Sequence, residues 1–124
     1  MAKPTVAIIG ASTDRAKYGN KAVRAYLRQG YDVYPVNPKE RTIEGLKCYR
    51  SVLDVPVELD RVSVYLPPAV GLKVLDEIAA KGAKEVWLNP GADSDEVIER
   101  AGELGLRPIA ACSILGVGER PDQL

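Results

Sequence analysis

Residues 10–19 carry side chains whose types and spacing are suited to binding an anion. The stretch "GASTDRAKYG" follows an apolar run and holds hydroxyl groups at Ser12 and Thr13 and cationic groups at Arg15 and Lys17. Hydroxyls, cations and the free backbone N–H groups ahead of a helix together bind phosphate. The same residues also suit an ordinary solvent-exposed turn. Two interpretations therefore stay open, a phosphate site and a plain turn.

The spacing of the glycines argues against an NAD site at this turn. After Gly10 the next glycine is Gly19, whereas the dinucleotide fingerprint G-x-G-x-x-G has a second glycine two residues on, where the pyrophosphate approaches the backbone. The sequence predicts a longer and more basic turn.

The segment "VNPKER" at 36–41 follows the next apolar run. An NAD site has an acidic residue there, which holds the ribose hydroxyls. Here Asn37 and Pro38 are suited to form a flat wall beside an adenine, while Lys39, with Arg41, is suited to neutralise an extra phosphate on the sugar. A charged, solvent-exposed turn is the alternative. Together with a phosphate-type first loop, the basic second loop favours a phosphorylated adenosine ligand.

Composition excludes several kinds of chemistry. The 124 residues contain no histidine, which excludes a histidine general base, a phosphohistidine and a histidine-ligated metal. Cys48 and Cys112 lack metal-ligand spacing, so we expect reduced thiols and no metal site. Seventeen basic residues balance seventeen acidic ones, so net charge predicts neither nucleic-acid nor membrane binding. Without an apolar leader or a membrane-length apolar run, we expect a cytoplasmic protein.

Short apolar runs alternate with segments of helical period, which is typical of a parallel sheet with crossover helices. We predict one doubly wound, Rossmann-like α/β domain over residues 1–124, with 116–124 as a candidate flexible tail. The predicted strands are 5–10, 32–36, 61–66, 85–88 and 107–111, with a short strand at 46–49, and the predicted helices are 20–29, Pro68 to Gly82 and Asp93 to Gly105. The apolar stripes predict sheet-facing positions at Val23, Tyr26 and Leu27 and at Val70, Val74, Leu75 and Ile78.

Ligands of such sheets bind beyond the carboxyl ends of the strands, where the winding direction reverses. That rule selects the loops after Gly10, Val36, Leu66 and Leu88 as the binding edge.

Several segments in order carry a resemblance to a known family. "VAIIGAS", "KYG", "GYDVYPVNPK", "GLKCYRSVLDVP", "VWLNPGA" and a cysteine after the last strand resemble the small stand-alone CoA-binding proteins. Their fold is similar to the N-terminal domain of the succinyl-CoA synthetase alpha subunit. The resemblance extends from Val6 to about Cys112. It implies strand order 3-2-1-4-5-6, with 46–49 as the edge strand and helices on both faces.

The resemblance also implies a set of coenzyme A contacts along the binding edge. Gly10, Ala11, Ser12 and Thr13 would face the pyrophosphate, with Arg15 or Lys17 nearby, and Asn37, Pro38 and Lys39 would meet the adenosine 3′-phosphate end. Tyr65, Leu66 and Pro67 would line the wall beside the coenzyme, and Asn89, Pro90 and Gly91 would lie toward the pantetheine.

The expected function is non-catalytic binding of coenzyme A or an acyl-CoA, by a carrier, a sensor or the partner module of a separate enzyme or homo-oligomer. No catalytic acid, base or nucleophile is evident beside the loops. Two alternatives remain open: an NADP-linked or other nucleotide-using enzyme on the same fold, and a diverged Rossmann scaffold that binds only protein.

Overall fold

A five-stranded parallel sheet forms the centre of the protein in our computed structural model, which describes residues 3–124. The strands are β1 (Thr5–Ile9), β2 (Asp32–Val36), β3 (Thr42–Ile43), β4 (Leu46–Lys47), β5 (Leu59–Val64), β6 (Ala83–Leu88) and β7 (Pro108–Ala110). The helices are α1 (Tyr18–Arg28), α2 (Pro68–Lys81), α3 (Asp95–Glu103) and α4 (Ser113–Gly116), with 3₁₀ turns at Val52–Asp54 and Pro121–Gln123.

The strand order in the sheet is β2-β1-β5-β6-β7. Ile9 of β1 lies opposite Val36 of β2 and Val64 of β5, and Val64 lies opposite Leu88 of β6. The carboxyl ends of these four strands are therefore level, and the winding direction reverses between β1 and β5. Ligands of open α/β sheets bind at such a point.

The predicted fold class is confirmed, but the predicted sixth strand at the edge is wrong. Residues 46–49 do not extend the sheet beside β2. Instead, β4 pairs with β3 as a separate antiparallel hairpin, and a single parallel bridge between Val36 and Tyr49 joins this region to the sheet.

The backbone of Pro35 explains why the pairing between β2 and Tyr49 is limited to a single bridge. Pro35 has no N–H, and its carbonyl accepts the Tyr49 N–H at 2.9 Å, while the Asn37 N–H donates to the Tyr49 carbonyl at 2.9 Å. The preceding residues turn back on themselves through Glu44 and Gly45, whose φ values are 50° and 76°. The residues of β3 and β4 therefore pair with each other and not with β2.

Helices cover both faces of the sheet, as predicted. On one face, Ala7 and Ile9 of β1 belong to a core that also contains Leu75 and Ile78 of α2 and residues of α3. On the other face, Val6 and Ile8 pack in a core with α1 and with Ile114 of α4. Successive side chains of β1 thus pack alternately in two hydrophobic cores, as expected for a strand covered on both sides.

Details of the helices differ from the sequence predictions. Leu27 is 40% exposed and Val70 is 45% exposed, because each lies at the border of its helix's apolar stripe. The third helix was predicted to begin at Asp93, whereas α3 begins at Asp95 after Ser94, whose side chain caps it by accepting the Val97 N–H. The Asp93 carboxylate accepts the Gly91 N–H at 3.0 Å, inside the preceding turn.

The chain after β7 returns to α1. Glu119 forms an ion pair with Arg28 at 3.4 Å, and the Lys21 ammonium donates to the Pro121 carbonyl at 3.1 Å. Leu124 packs against the core beneath α1. Within residues 3–124, none of the helices has the length and apolar character needed to cross a bilayer.

Candidate functional site

A cavity of about 640 Å³ opens at the carboxyl edge of the sheet. Its lining comes from the start of α1 and from the segments that follow β1, β5, β6 and β7. The lining residues are Gly10, Lys17, Tyr18, Gly19, Tyr65, Leu66, Pro67, Asn89, Pro90, Gly91, Ala92, Cys112, Leu115 and Pro121.

Two glycines allow the start of α1 to pack directly on the turn after β1. Gly10 has a φ of 86°, and a Cβ there would lie 2.4 Å from the Tyr65 carbonyl oxygen. A Cβ on Gly19 would lie 2.2 Å from the Gly10 carbonyl oxygen. Gly19 therefore provides the close contact between helix and strand, although the sequence had identified it only as the end of a long turn.

The N-terminus of α1 has no cap from the protein itself. Lys17 at the N-cap makes no side-chain capping bond, and the first turn holds no acidic residue. In the described chain, the N–H groups of Tyr18 and Gly19 have no hydrogen-bond acceptor. By contrast, α3 carries the Ser94 cap and two acidic residues in its first turn. The positive end of α1 is thus not offset by a side-chain cap or by an acidic residue of its first turn.

The rest of the predicted phosphate loop lies outside the cavity lining. Ala11 is fully buried. Ser12 accepts the Asp14 N–H at 3.0 Å, and Arg15 pairs with Glu44 at 3.6 Å. Thr13 is exposed. The structure brings Gly10 and Lys17, but not these four predicted residues, to the cavity.

Asn20 holds this loop in place, a role that was not predicted from the sequence. Its fully buried amide donates to the Ser12 carbonyl at 2.9 Å and to the Glu44 carboxylate at 3.1 Å. Arg24 donates to the Asn20 side-chain oxygen at 2.8 Å and to the Arg15 carbonyl at 2.7 Å. Partial burial, with the charge of Arg15, lowers the pKa of Arg24 from its ordinary value. The only sequence signal for this role is the position of Asn20 on the buried face of α1.

The predicted second loop also lies beyond the cavity lining, at the end of β2. The Asn37 amide donates to the Ala11 carbonyl at 2.8 Å, and its oxygen accepts the Lys39 N–H at 2.8 Å. Asn37 therefore ties the first loop to the second. Pro38 and the Lys39 side chain are exposed, one strand spacing from the turn after β1.

Asn89 lies beneath the cavity, and both polar atoms of its side chain have protein partners. It is 1% exposed. Its amide donates to Ser63 Oγ and to the Val64 carbonyl, both at 2.9 Å, and its oxygen accepts the Ser113 N–H at 2.8 Å. The backbone after β6 therefore lines the cavity at Asn89, Pro90 and Gly91, while the Asn89 side chain joins that edge to α4.

Tyr65 belongs to the same group of hydrogen-bonded side chains beneath the cavity. Its hydroxyl lies 3.2 Å from Ser113 Oγ, which in turn lies 2.6 Å from Ser63 Oγ. Burial raises the pKa of Tyr65 to about 12, although the hydrogen bond to Ser113 opposes the shift. The hydroxyl is therefore protonated at neutral pH and acts as a hydrogen-bonding group, not as a base.

The wall formed by Tyr18, Ala92, Leu115 and Pro121 was not among the predicted contacts. Its C-terminal part follows from the bond between Asn89 and Ser113, which are 24 residues apart. Local sequence patterns give no signal for such a contact. Cys112, the cysteine that follows the last strand, lines the cavity and is partly exposed.

A family model described as "CoA binding domain" matches residues 4–117. The chain belongs to the CoA-binding domain family. The resemblance inferred from the sequence is thereby confirmed, and the turn after β1, the end of β5 and the end of β6 all fall within the matched region.

Relatives of this CoA-binding domain include parts of much larger proteins. It is 32% identical over 136 residues to "Acetate--CoA ligase [ADP-forming] I subunit alpha" of Pyrococcus furiosus, covering 97% of this chain and 29% of that subunit. It is 42% identical over 80 residues to "Acetate--CoA ligase [ADP-forming]" of Methanocaldococcus jannaschii, covering 64% of this chain and 11% of that protein. The chain thus spans less than a third of the length of each of these curated relatives.

A solved structure of similar size shares the fold of this CoA-binding domain. A conserved hypothetical protein from Pyrococcus furiosus superposes with a TM-score of 0.81 at 36% identity, covering 93% of this chain and 99% of that one.

Proposed function

We propose that this CoA-binding domain binds coenzyme A across the carboxyl edge of its sheet and catalyses no reaction on it alone. The observation that carries the proposal is the uncapped N-terminus of α1, which opens into the cavity beside Lys17. Unpaired N–H groups at a helix N-terminus with a nearby cation favour a pyrophosphate. Membership of the family supports coenzyme A as the source of that group.

The strand order suggests how the ligand lies. The pyrophosphate binds at the turn after β1, where Gly10 and Lys17 line the cavity. The adenosine 3′-phosphate end lies over the β2 loop near Lys39, and the pantetheine crosses the ends of β5 and β6 toward Cys112. From β2 to β7 the sheet has four strand spacings, about 19 Å in all. An edge of this length suits an extended ligand.

The biological role that we propose is a module that carries coenzyme A or presents it to a separate enzyme. Support comes from the curated relatives, which are named as CoA ligases and in which the matched region is a minor part of the protein. A partner protein would then supply the reacting groups.

Native mass spectrometry of the purified protein tests this proposal. After incubation with equimolar coenzyme A and NADP, we expect a one-to-one complex with the mass of coenzyme A. A complex with NADP alone would favour the nucleotide-using enzyme. Binding of neither ligand would favour a scaffold that binds only protein.

A further inference from the structure

We infer that Glu44, in the turn between β3 and β4, is a positioning residue for the first loop (residues 10–19). Glu44 lies outside the cavity lining, so it acts on the ligand only through this loop. It holds the loop in the conformation that brings Gly10 and Lys17 to the cavity. The inference rests on the proposed function and adds to it a residue that acts from outside the cavity.

The backbone of Glu44 has a conformation that residues with a side chain rarely adopt. Glu44 and Gly45 form the two-residue turn of the hairpin, with φ values of 50° and 76°. Among residues 3–124, Glu44 alone has a positive φ without being glycine. Two-residue hairpin turns with positive φ at both positions favour Asn-Gly. A residue held in a disfavoured conformation points to a role for its side chain.

The Glu44 carboxylate reaches the first loop through two contacts. One oxygen accepts the Asn20 amide at 3.1 Å, and the other lies 3.6 Å from the Arg15 guanidinium. Asn20 is fully buried, and its amide also donates to the Ser12 carbonyl at 2.9 Å. A buried amide needs an acceptor for each of its two hydrogens. By accepting one of them, Glu44 helps to fix the amide that holds Ser12.

These contacts act on the part of the loop that connects two cavity-lining residues. Ser12 and Arg15 lie in the chain between Gly10 and Lys17, both of which line the cavity. The carbonyl of Arg15 is also fixed, because it accepts the Arg24 guanidinium at 2.7 Å. Contacts at positions 12 and 15 therefore restrict the path of the chain from the end of β1 to the start of α1.

The charge of Glu44 acts in the opposite direction to this positioning role. A carboxylate repels a phosphate group, and Glu44 also offsets the positive charge of Arg15. If charge alone decided the affinity, removal of the carboxylate would tighten the binding of coenzyme A. A positioning role predicts weaker binding, so the sign of the change separates the two.

Glu44→Asn is the variant that tests this role. Asparagine is favoured at this turn position, so the hairpin is retained, but its side chain is one methylene shorter. We expect coenzyme A to bind about tenfold more weakly, as for the loss of a strong hydrogen bond. Glu44→Gln keeps the length and an oxygen acceptor for Asn20, and it should restore binding to within about threefold, because the lost ion pair involves the exposed Arg15.

Glu103→Gln is the control for net charge. Glu103 forms an ion pair with Arg100 on α3, outside the cavity lining, so its loss should leave the affinity for coenzyme A unchanged. Isothermal titration of coenzyme A into the unmodified protein and the three variants measures all four affinities.

Trypsin digestion tests the loop without any ligand. Trypsin cleaves after Arg15 and Lys17, both in the loop, and after Lys73, within α2. In Glu44→Asn we expect cleavage at the two loop sites to be about tenfold faster, because local opening is easier there, with the rate at Lys73 unchanged. Equal acceleration at all three sites would show a general loss of stability and would overturn the positioning role.

The titrations separate this inference from the proposed function. Unchanged or tighter binding of coenzyme A by Glu44→Asn would overturn the role of Glu44, while coenzyme A binding by the unmodified protein would stand. An equal loss in Glu103→Gln would assign the effect to net charge and would overturn it as well. If the unmodified protein does not bind coenzyme A, the proposed function is wrong, and the role of Glu44 in binding is wrong with it.

Discussion

Gly19 packs so closely on Gly10 that a Cβ at position 19 would stand 2.2 Å from the Gly10 carbonyl oxygen. The contact holds the first turn of α1 against the end of β1. Lys17, Tyr18 and Gly19 of that turn line the cavity. One glycine pair thus links the packing of the sheet to the proposed phosphate site.

Gly19→Ala should weaken both the fold and coenzyme A binding. Relieving the clash requires a backbone shift, and overpacking of this kind costs about 1–3 kcal/mol. Chemical denaturation measures the loss. Gly71→Ala is the control, because Gly71 lies within α2 and a Cβ there would meet nothing within 4 Å. It should be neutral or stabilising by up to about 1 kcal/mol. Equal stability of the two variants would show that the Gly10 contact is unimportant.

Lys39→Ala should weaken coenzyme A about tenfold and leave dephospho-CoA nearly unchanged. A charge-assisted contact to phosphate contributes about 1.5–3 kcal/mol, less where solvent screens it, as at the exposed Lys39 side chain. About 1.4 kcal/mol corresponds to tenfold. Calorimetry with both ligands measures the difference. Lys73→Ala, an exposed lysine of α2, controls for net charge. An equal loss for both ligands would mean that Lys39 does not bind the 3′-phosphate.

Coenzyme A should protect Cys112 from alkylation. Cys112 lines the cavity and is partly exposed, so bound ligand should slow its reaction with iodoacetamide in proportion to the bound fraction. Cys48 is an internal control, because it is buried and burial raises the pKa of its thiol, which lowers the reactive thiolate fraction. Mass spectrometry after digestion reports both sites. The same Cys112 rate with and without coenzyme A would remove this residue from the ligand contacts.

Stability should fall as the pH rises from 10 to 12, partly through Tyr65. Burial raises the pKa of Tyr65 from 10.0 to about 12, so the folded protein holds this proton more tightly than the unfolded chain. The contribution is complete below pH 10 and is lost as the pH approaches 12. Tyr65→Phe should lower stability by about 1 kcal/mol through the lost bond to Ser113, and should flatten the decline above pH 10.

Unfolding by urea between pH 8 and 11.5 measures that profile. Burial raises the pKa of Tyr26 as well, so the decline should be reduced and not abolished in Tyr65→Phe. A decline as steep as that of the unmodified protein would show that Tyr65 titrates normally in the folded state.

Periodicity was sufficient to predict the five parallel strands and helices α1 to α3, because buried parallel strands and amphipathic helices have distinct local patterns. The edge strand could not be predicted in this way, because it depends on which strands pair with each other. Residues 46–49 have a strand-like composition, but the turn at Glu44 and Gly45 directs them into a hairpin. The path after β7 depends on the bond between Asn89 and Ser113, which no local pattern reveals.

The position of the cavity at the carboxyl edge of the sheet was predictable from topology, whereas the orientation of the polar side chains there was not. Asn37 and Asn89 both lie in the selected loops, yet their amides bind the protein's own backbone. Arg15 is paired with Glu44, a residue of the hairpin. Such partners come from other parts of the chain. A loop's composition therefore indicates the chemistry it can offer, but not which groups remain free for a ligand.

Isothermal titration of the protein with coenzyme A, NADP and NAD tests the central claim most directly. The uncapped α1 terminus, the family and the basic β2 loop together predict one-to-one binding of coenzyme A, with both dinucleotides at least tenfold weaker. Tighter binding of NADP than of coenzyme A, or no detectable binding of coenzyme A, would contradict the account.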